Sequence, residues 1–303
     1  MIRRVVHSAL ITATVLCLTG SLRADPDITV KGQRLDRETA RAQARDYVRR
    51  LGVAKGLTPA SRWIDPVCLE VLGLDQRVAD LVAQRFRGIA RRAGARLATG
   101  RCRTNAVIAF TPDAANYVRK LEAFEPRQLE EASEARLAAL HGASAPVRWW
   151  YRTGLRGAHD DAPSMTRPMG LQMSTEGGPS FDGGPAQDVI RLDSPSLIST
   201  GYKREIKSAA VVIDVNLASG TPLSAIGDYA ALVLLAELDM PSDPPDRSIL
   251  ALFAPDAARP GGLTEQDDAL LKALYALPMA RDARFHRGKL IGGMTKAALG
   301  GAE

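Results

Sequence analysis

The chain has 303 residues, with 40 Lys and Arg against 34 Asp and Glu and a formal net charge of +6. Hydrophobic residues make up 46%, ordinary for a globular chain, and the length suits one large domain or two packed smaller ones. Aromatics are only 5% while Ala, Arg and Gly are abundant, which reads as a genome's base composition more than as a functional bias.

The N-terminus is patterned for export. Met1-Ile2-Arg3-Arg4 is positively charged, Ala9 to Leu18 is a short apolar run, and Ser21-Leu22-Arg23-Ala24 leads into Asp25-Pro26-Asp27. That order is the layout of a signal peptide cut after Ala24, although Leu22 is bulkier than the small residue usual at its place. The run is shorter than the ~18–20 residues that span a bilayer, so a retained anchor is the weaker reading. Leu16 before Cys17 is too large for lipid attachment. Losing residues 1–24 removes Arg3, Arg4 and Arg23 and no acid, which leaves 37 basic against 34 acidic residues and a net charge of +3. A periplasmic or secreted protein is expected.

Asp36 to Leu51 reads as a helix with Ala40, Ala44, Tyr47, Val48 and Leu51 on one side. Arg62 to Val71 reads as a strand carrying Cys68. Asp75 to Ala93 has apolar residues at helical spacing, with Gly94 as its stop. Cys102 opens a strand through Ala106–Phe110, and Thr111-Pro112-Asp113 starts a helix to about Phe124. Two cysteines remain after export, and an even count in an oxidising compartment reads as a Cys68–Cys102 disulfide tying the two strands together. Pro126 precedes a charged helix to Leu140, and Val147 to Tyr151 is an aromatic strand. Leu155 to Pro185 lacks periodicity and reads as a Gly/Pro-rich loop or hinge, with a short strand at 169–173 the one exception considered.

Beyond the loop, Val189–Leu192 and Ala209–Val215 read as strands, the second apolar enough for a central position. Residues 225–238 read as a helix, Ser248–Phe253 as a short apolar stretch, Asp267–Leu277 as a helix, and Met294–Leu299 as a short helix or frayed tail. The expected class is α+β. It divides into a signal peptide (1–24), an N-terminal β-α-β-α unit (25–153), a loop or hinge (154–187) and a C-terminal strand-and-helix unit (188–303).

Seven arginines between Arg85 and Arg103 form the densest basic stretch. Phe86 is the one aromatic among them, so a solvated helix face is favoured over nucleic acid, with anionic lipid or an envelope polymer as the remaining partner. The glycines at 177–178 and 183–184 are interrupted by Pro179 and Pro185 and do not make a phosphate loop. Thr200-Gly201-Tyr202-Lys203 has the hydroxyl–lysine spacing of Ser–Lys acyl enzymes, but Gly201 opposes the helix that chemistry requires. No Gly-x-Ser-x-Gly elbow exists, and His141, His159 and His286 each sit in a polar or loop-like setting.

The run Ala210-Val211-Val212-Ile213-Asp214, the helix 225–238 ending in Leu238-Asp239-Met240-Pro241-Ser242-Asp243, and Leu263-Thr264-Glu265-Gln266-Asp267 with Leu274-Tyr275 together resemble an exported proteobacterial family of unknown function. That family is itself distantly similar to zincin metallopeptidases, and the likeness covers roughly residues 188–298. A zincin helix holds two His one turn apart around a Glu that reaches the zinc-bound water. The corresponding places fall near Leu232, Val233 and Ala236, and Tyr229 to Ala236 is apolar throughout. The resemblance therefore implies a degenerate zincin-like half without metal ligands, zinc or any other cofactor.

Two functions follow as expectations. The first is a non-catalytic binding or scaffold module of the periplasm or cell envelope, whose partner is an envelope protein or polymer. The alternative is a non-zinc hydrolase using Asp/Glu or Ser groups near the loop. Its candidate residues are Asp193, Asp214, Glu237 and Asp239. Glu237 and Asp239 oppose the dipole of their helix end, and Asp228 suits the dipole at its start. Two carboxylates within hydrogen-bonding reach beside apolar walls would favour the hydrolase.

Overall fold

The computed structural model describes residues 36–160, 198–255 and 259–300, all within one compact unit, Leu35–Glu303. The expected signal peptide, the strand at 189–192, the glycine pairs and Asp193 lie outside the described residues.

The class is α+β. Among the described residues the elements run α1 (Arg37–Arg50), β1 (Leu69–Leu72), α2 (Gln76–Ala93), β2 (Ala106–Thr111), α3 (Ala114–Phe124), α4 (Glu134–His141), β3 (Val147–Gly157), β4 (Tyr202–Asp214), α5 (Leu223–Leu235), α6 (Glu265–Tyr275) and α7 (Ala283–Ala298). Short 3₁₀ turns cover Pro126–Gln128 and Ile249–Phe253. Helix starts obey local chemistry: Asp36, Asp75, Asp113, Ser133, Thr264 and Asp282 each accept a backbone N–H of the first turn. Gly94 ends α2 in the left-handed conformation (φ 91°), as its position in the sequence foretold.

The four strands are ordered β1-β2-β4-β3, with β1, β2 and β4 parallel and β3 antiparallel to β4. The expected β-α-β-α unit is present as β1-α2-β2-α3. Its boundaries shift, because the Arg62–Val71 segment makes isolated bridges at Arg62 and Val67 before pairing regularly from Leu69. The two expected units do not stand apart. β4, from the second, lies between β2 and β3 of the first, and one core spans both. The sheet is covered on both faces. Ile108, Trp149, Val211 and Ile213 pack against α1, α2, α5, α6 and α7, while Val107, Ala109, Trp150, Ala210 and Val212 pack against α3 and α4. A strand covered on both sides reads as continuous hydrocarbon, which is why Ala209–Ile213 was legible.

Three expectations need correction. β4 begins at Tyr202, seven residues before the apolar run, and β3 continues to Gly157. The added halves pair with each other through charged sequence, and Lys207 is an extra residue between the pairs Arg152–Ser208 and Thr153–Ile206. This bulge reverses the alternation of faces. Buried Glu205 beyond it is held by Arg156 at 2.7 Å. The short helix or frayed tail expected at Met294–Leu299 is the end of the 16-residue helix α7, packed on α1 and α6 through Ala283, His286, Leu290 and Met294. Gly288, Gly292 and Gly293 dilute its pattern. His286, expected in a polar or loop-like setting, is fully buried: its Nδ1 accepts the Ala60 N–H at 3.1 Å and its Nε2 lies 3.1 Å from the Pro278 carbonyl. Burial lowers its pKa.

The Cys68–Cys102 disulfide is formed (S–S 2.02 Å) and joins the residue before β1 to the segment leading into β2. No described helix is long and apolar enough to cross a membrane.

Candidate functional site at the end of helix α5

Helix α5 is buried on every side from Ala225 to Leu235, as an all-round apolar helix must be. Burial leaves its last carbonyls without water, and no glycine cap follows. Aromatic side chains supply the donors. The Tyr151 hydroxyl lies 2.7 Å from the Val233 carbonyl and 2.8 Å from that of Ala236, Trp63 Nε1 donates to Leu234 at 2.7 Å, and the Tyr275 hydroxyl donates to Leu235 at 3.0 Å. The Leu238 N–H returns a bond to the Tyr151 oxygen at 3.2 Å. Burial raises the hydroxyl pKa of both tyrosines.

The chain leaves this end extended and carries Glu237 and Asp239 into a cleft of about 290 Å³, lined also by Lys55, Glu131, Arg136 and Arg204. Arg204 holds Glu237 through both guanidinium nitrogens, one at 2.8 Å, and the Ser61 hydroxyl donates to the same carboxylate at 2.6 Å. Lys55 holds Asp239 at 2.9 Å. Glu131 accepts the Thr153 N–H at 2.9 Å and the Thr153 hydroxyl at 2.7 Å. Arg136 lies over the rings of Trp149 and Tyr151, with centroids 5.7 and 5.6 Å away, and donates to the Leu238 carbonyl at 3.1 Å. Gly52 lets this segment approach. It is left-handed (φ 70°), and a Cβ there would lie 2.3 Å from the Asp239 carboxylate.

Glu237 and Asp239 therefore do not sit in the last turn of a helix opposing its dipole. The helix stops before them, and each carboxylate is matched to its own cation. Ser61–Glu237 is the nearest approach to a nucleophile–base pair. Ser61 is 2% exposed, and its carboxylate is already held by Arg204.

The other candidates lie elsewhere. Asp214, 5% exposed, accepts the backbone N–H groups of Ala114, Asn216 and Leu217 at 3.0–3.1 Å, so it pins α3 and the following turn to the sheet. It is ten residues along β4 from Arg204, roughly 33 Å at ~3.3 Å per residue, and cannot share a proton with Glu237. Asp228 is no dipole partner. It is buried inside α5, bonded to both Nε and Nη2 of Arg85 and accepting the Leu263 N–H at 2.7 Å. Thr200 precedes β4 and Lys203 lies within it, so the two are not one helical turn apart.

The places where the resemblance puts zinc ligands, Leu232, Val233 and Ala236, have no exposure and carry no donor atom, so they do not fit a metal. Among the described residues no three His, Cys, Asp or Glu side chains converge as a metal's ligands do. The Leu263-Thr264-x-x-Asp267 run works structurally. Thr264 and Asp267 form a capping box, and the fully buried Asp267 also accepts the Tyr47 hydroxyl, the Ser248 hydroxyl at 2.8 Å and the Ile249 N–H at 2.8 Å.

Three of the seven arginines from 85 to 103 turn to partners within the fold. Arg85 turns to Asp228, Arg92 toward Asp268, and Arg96 to the Ile64 carbonyl. Sequence reasoning missed Ser61, Arg136, Tyr151 and Arg204, because each meets the site from a segment distant in the chain. Compared with known proteins, the chain matches no protein-family model, no curated protein and no solved structure.

Proposed function

We propose that the protein is exported and serves as a non-catalytic binding or scaffold module of the cell envelope. The observation that carries this reading is the state of the charged cleft at the end of α5. Glu237 and Asp239 are each neutralised by a dedicated cation, beside a helix whose interior is hydrocarbon where a zincin would bind its metal. A general acid or base must meet substrate with its carboxylate free, and that of Glu237 is taken up by Arg204 and Ser61. The disulfide supports an oxidising compartment. The internal partners of Arg85, Arg92 and Arg96 take three of the stretch's seven arginines out of any basic surface, which lends no support to nucleic acid.

The test is to express the full chain in an exporting bacterium, fractionate the envelope, and sequence the N-terminus of the recovered protein. The expected product starts at Asp25, and the purified protein is expected to turn over no peptide, ester, phosphoester or glycoside above background. Cytoplasmic retention would overturn the export reading. Turnover abolished by Glu237→Gln, with unchanged thermal unfolding, would overturn the non-catalytic one.

A further inference from the structure

The charged cleft at the end of α5 is also lined by two buried polar side chains with an atom left unpaired. They are Trp150, on β3, and Gln128, in the 3₁₀ turn between α3 and α4. Trp150 is 2% exposed and Gln128 5%. Among the described residues, neither the Trp150 Nε1 nor the Gln128 Oε1 has a hydrogen-bond partner. Buried polar atoms are paired as a rule, because an unpaired one has given up its water without return. The Gln128 Nε2 donates to Glu125, three residues earlier, at 3.2 Å. That bond stays within one turn, so the long side chain can swing to admit a ligand.

The cleft's charges select a neutral ligand. Its ionic groups are three cations, Lys55, Arg136 and Arg204, and three carboxylates, Glu131, Glu237 and Asp239. Lys55–Asp239 and Arg204–Glu237 are already ion pairs. An ion of either sign would meet as much repulsion as attraction. The volume of about 290 Å³ stands at the lower end of small-molecule sites, ~300–1,000 Å³, which suits one small unit. A peptide does not fit as an added strand, because the outer edge of β3 is occupied from within. Glu131 takes the Thr153 N–H at 2.9 Å, and Arg136 Nη2 donates to the Trp149 carbonyl at 3.2 Å. The unpaired atoms are one donor and one acceptor, and a hydroxyl serves either. A neutral unit of this size, dense in hydroxyls, is a sugar.

We propose that this cleft binds an uncharged sugar unit, whose hydroxyls accept from Trp150 Nε1 and donate to Gln128 Oε1. The inference rests on the binding-module reading and gives it a ligand class.

The experiment titrates the methyl glycosides of glucose, galactose, mannose and N-acetylglucosamine into the ¹⁵N-labelled full chain and follows its indole N–H signals by NMR. The methyl glycoside of glucuronate is the anionic control. Trp63 and Trp149 are internal controls, since their Nε1 groups already donate to the Leu234 and Leu238 carbonyls. At least one neutral glycoside is expected to bind saturably and to shift the Trp150 signal, assigned by its loss in Trp150→Phe, while the other two stay in place. The glucuronate glycoside is expected to bind at least about tenfold more weakly than that sugar. Gln128→Met keeps the chain length and removes the acceptor. It is expected to weaken binding about tenfold, the scale of one hydrogen bond, with thermal unfolding unchanged or raised. No saturable binding by any neutral glycoside, tightest binding by the glucuronate glycoside, an unmoved Trp150 signal, or full affinity in Gln128→Met would each overturn the proposal. Methanol released from a bound glycoside would uphold the sugar site and overturn the non-catalytic reading instead.

Discussion

Replacing Tyr151 by Phe removes one oxygen and tests how the buried end of α5 is held. The ring and its packing remain, so the change isolates the hydroxyl. Without it the Leu238 N–H loses its acceptor and the carbonyls of Val233 and Ala236 lose their donor, all inside the core. An unsatisfied buried donor costs about 1–3 kcal/mol, and a stranded carbonyl adds about 1 more, so a loss near 3 kcal/mol is expected. For a unit of this size that lowers Tm by about 6–10 °C. Tyr229→Phe is the matched control. Tyr229 is equally enclosed, in contact with Trp149 and Phe253 (centroids 5.9 Å), and burial is the sole cause raising its hydroxyl pKa. Its hydroxyl makes no hydrogen bond to another described residue, so removing it should change stability by less than about 0.5 kcal/mol. Urea unfolding of wild type and both variants by circular dichroism measures the difference. A Tyr151→Phe midpoint within error of wild type, or equal damage from Tyr229→Phe, would refute the reasoning.

The remaining expectations concern stability. The disulfide closes a loop with sequence separation 34, and the chain-entropy relation gives about 3.8 kcal/mol, so Cys68→Ser/Cys102→Ser should lose about 2–4 kcal/mol in urea titrations. The pKa of His286 is lowered on folding, so the unfolded chain binds its proton more readily, and stability falls as pH drops from the unfolded value of about 6.5 toward the folded one. A urea-midpoint series from pH 7.5 to 5 should show that slope, and His286→Gln should flatten it. Asp267→Asn places an amide against the Tyr47 and Ser248 hydroxyls and the backbone N–H groups of Ile249 and Thr264, and should cost about 3 kcal/mol or more by the same titration.

The charged cleft was only half legible. Glu237 and Asp239 stand out next to an apolar helix, so their position drew notice, but their partners come from elsewhere. Arg204 is 33 residues before Glu237, Ser61 is 176 before it, and Lys55 is 184 before Asp239. No window on the sequence contains both members of any pair. Asp214 looked equally promising, yet its surroundings are backbone N–H groups of α3 and a turn, which leave no visible trace in composition.

Residue order along the chain determined what depends on near neighbours. The helices α1, α2, α3, α5 and α6 follow from apolar spacing and from caps such as Asp36, Asp75, Asp113 and Thr264, whose partners lie three residues away. The central strand announced itself by hydrocarbon, and the disulfide by the parity of two cysteines. Tertiary structure decided the rest: the order β1-β2-β4-β3, the charged half of β4 steadied by Arg156 and Glu205, the glycine-rich α7, and the aromatic donors at the end of α5. Local hydrogen bonds and periodicity are written within a few residues. Which distant strand, cation or hydroxyl satisfies a buried group is settled only when the core closes around it.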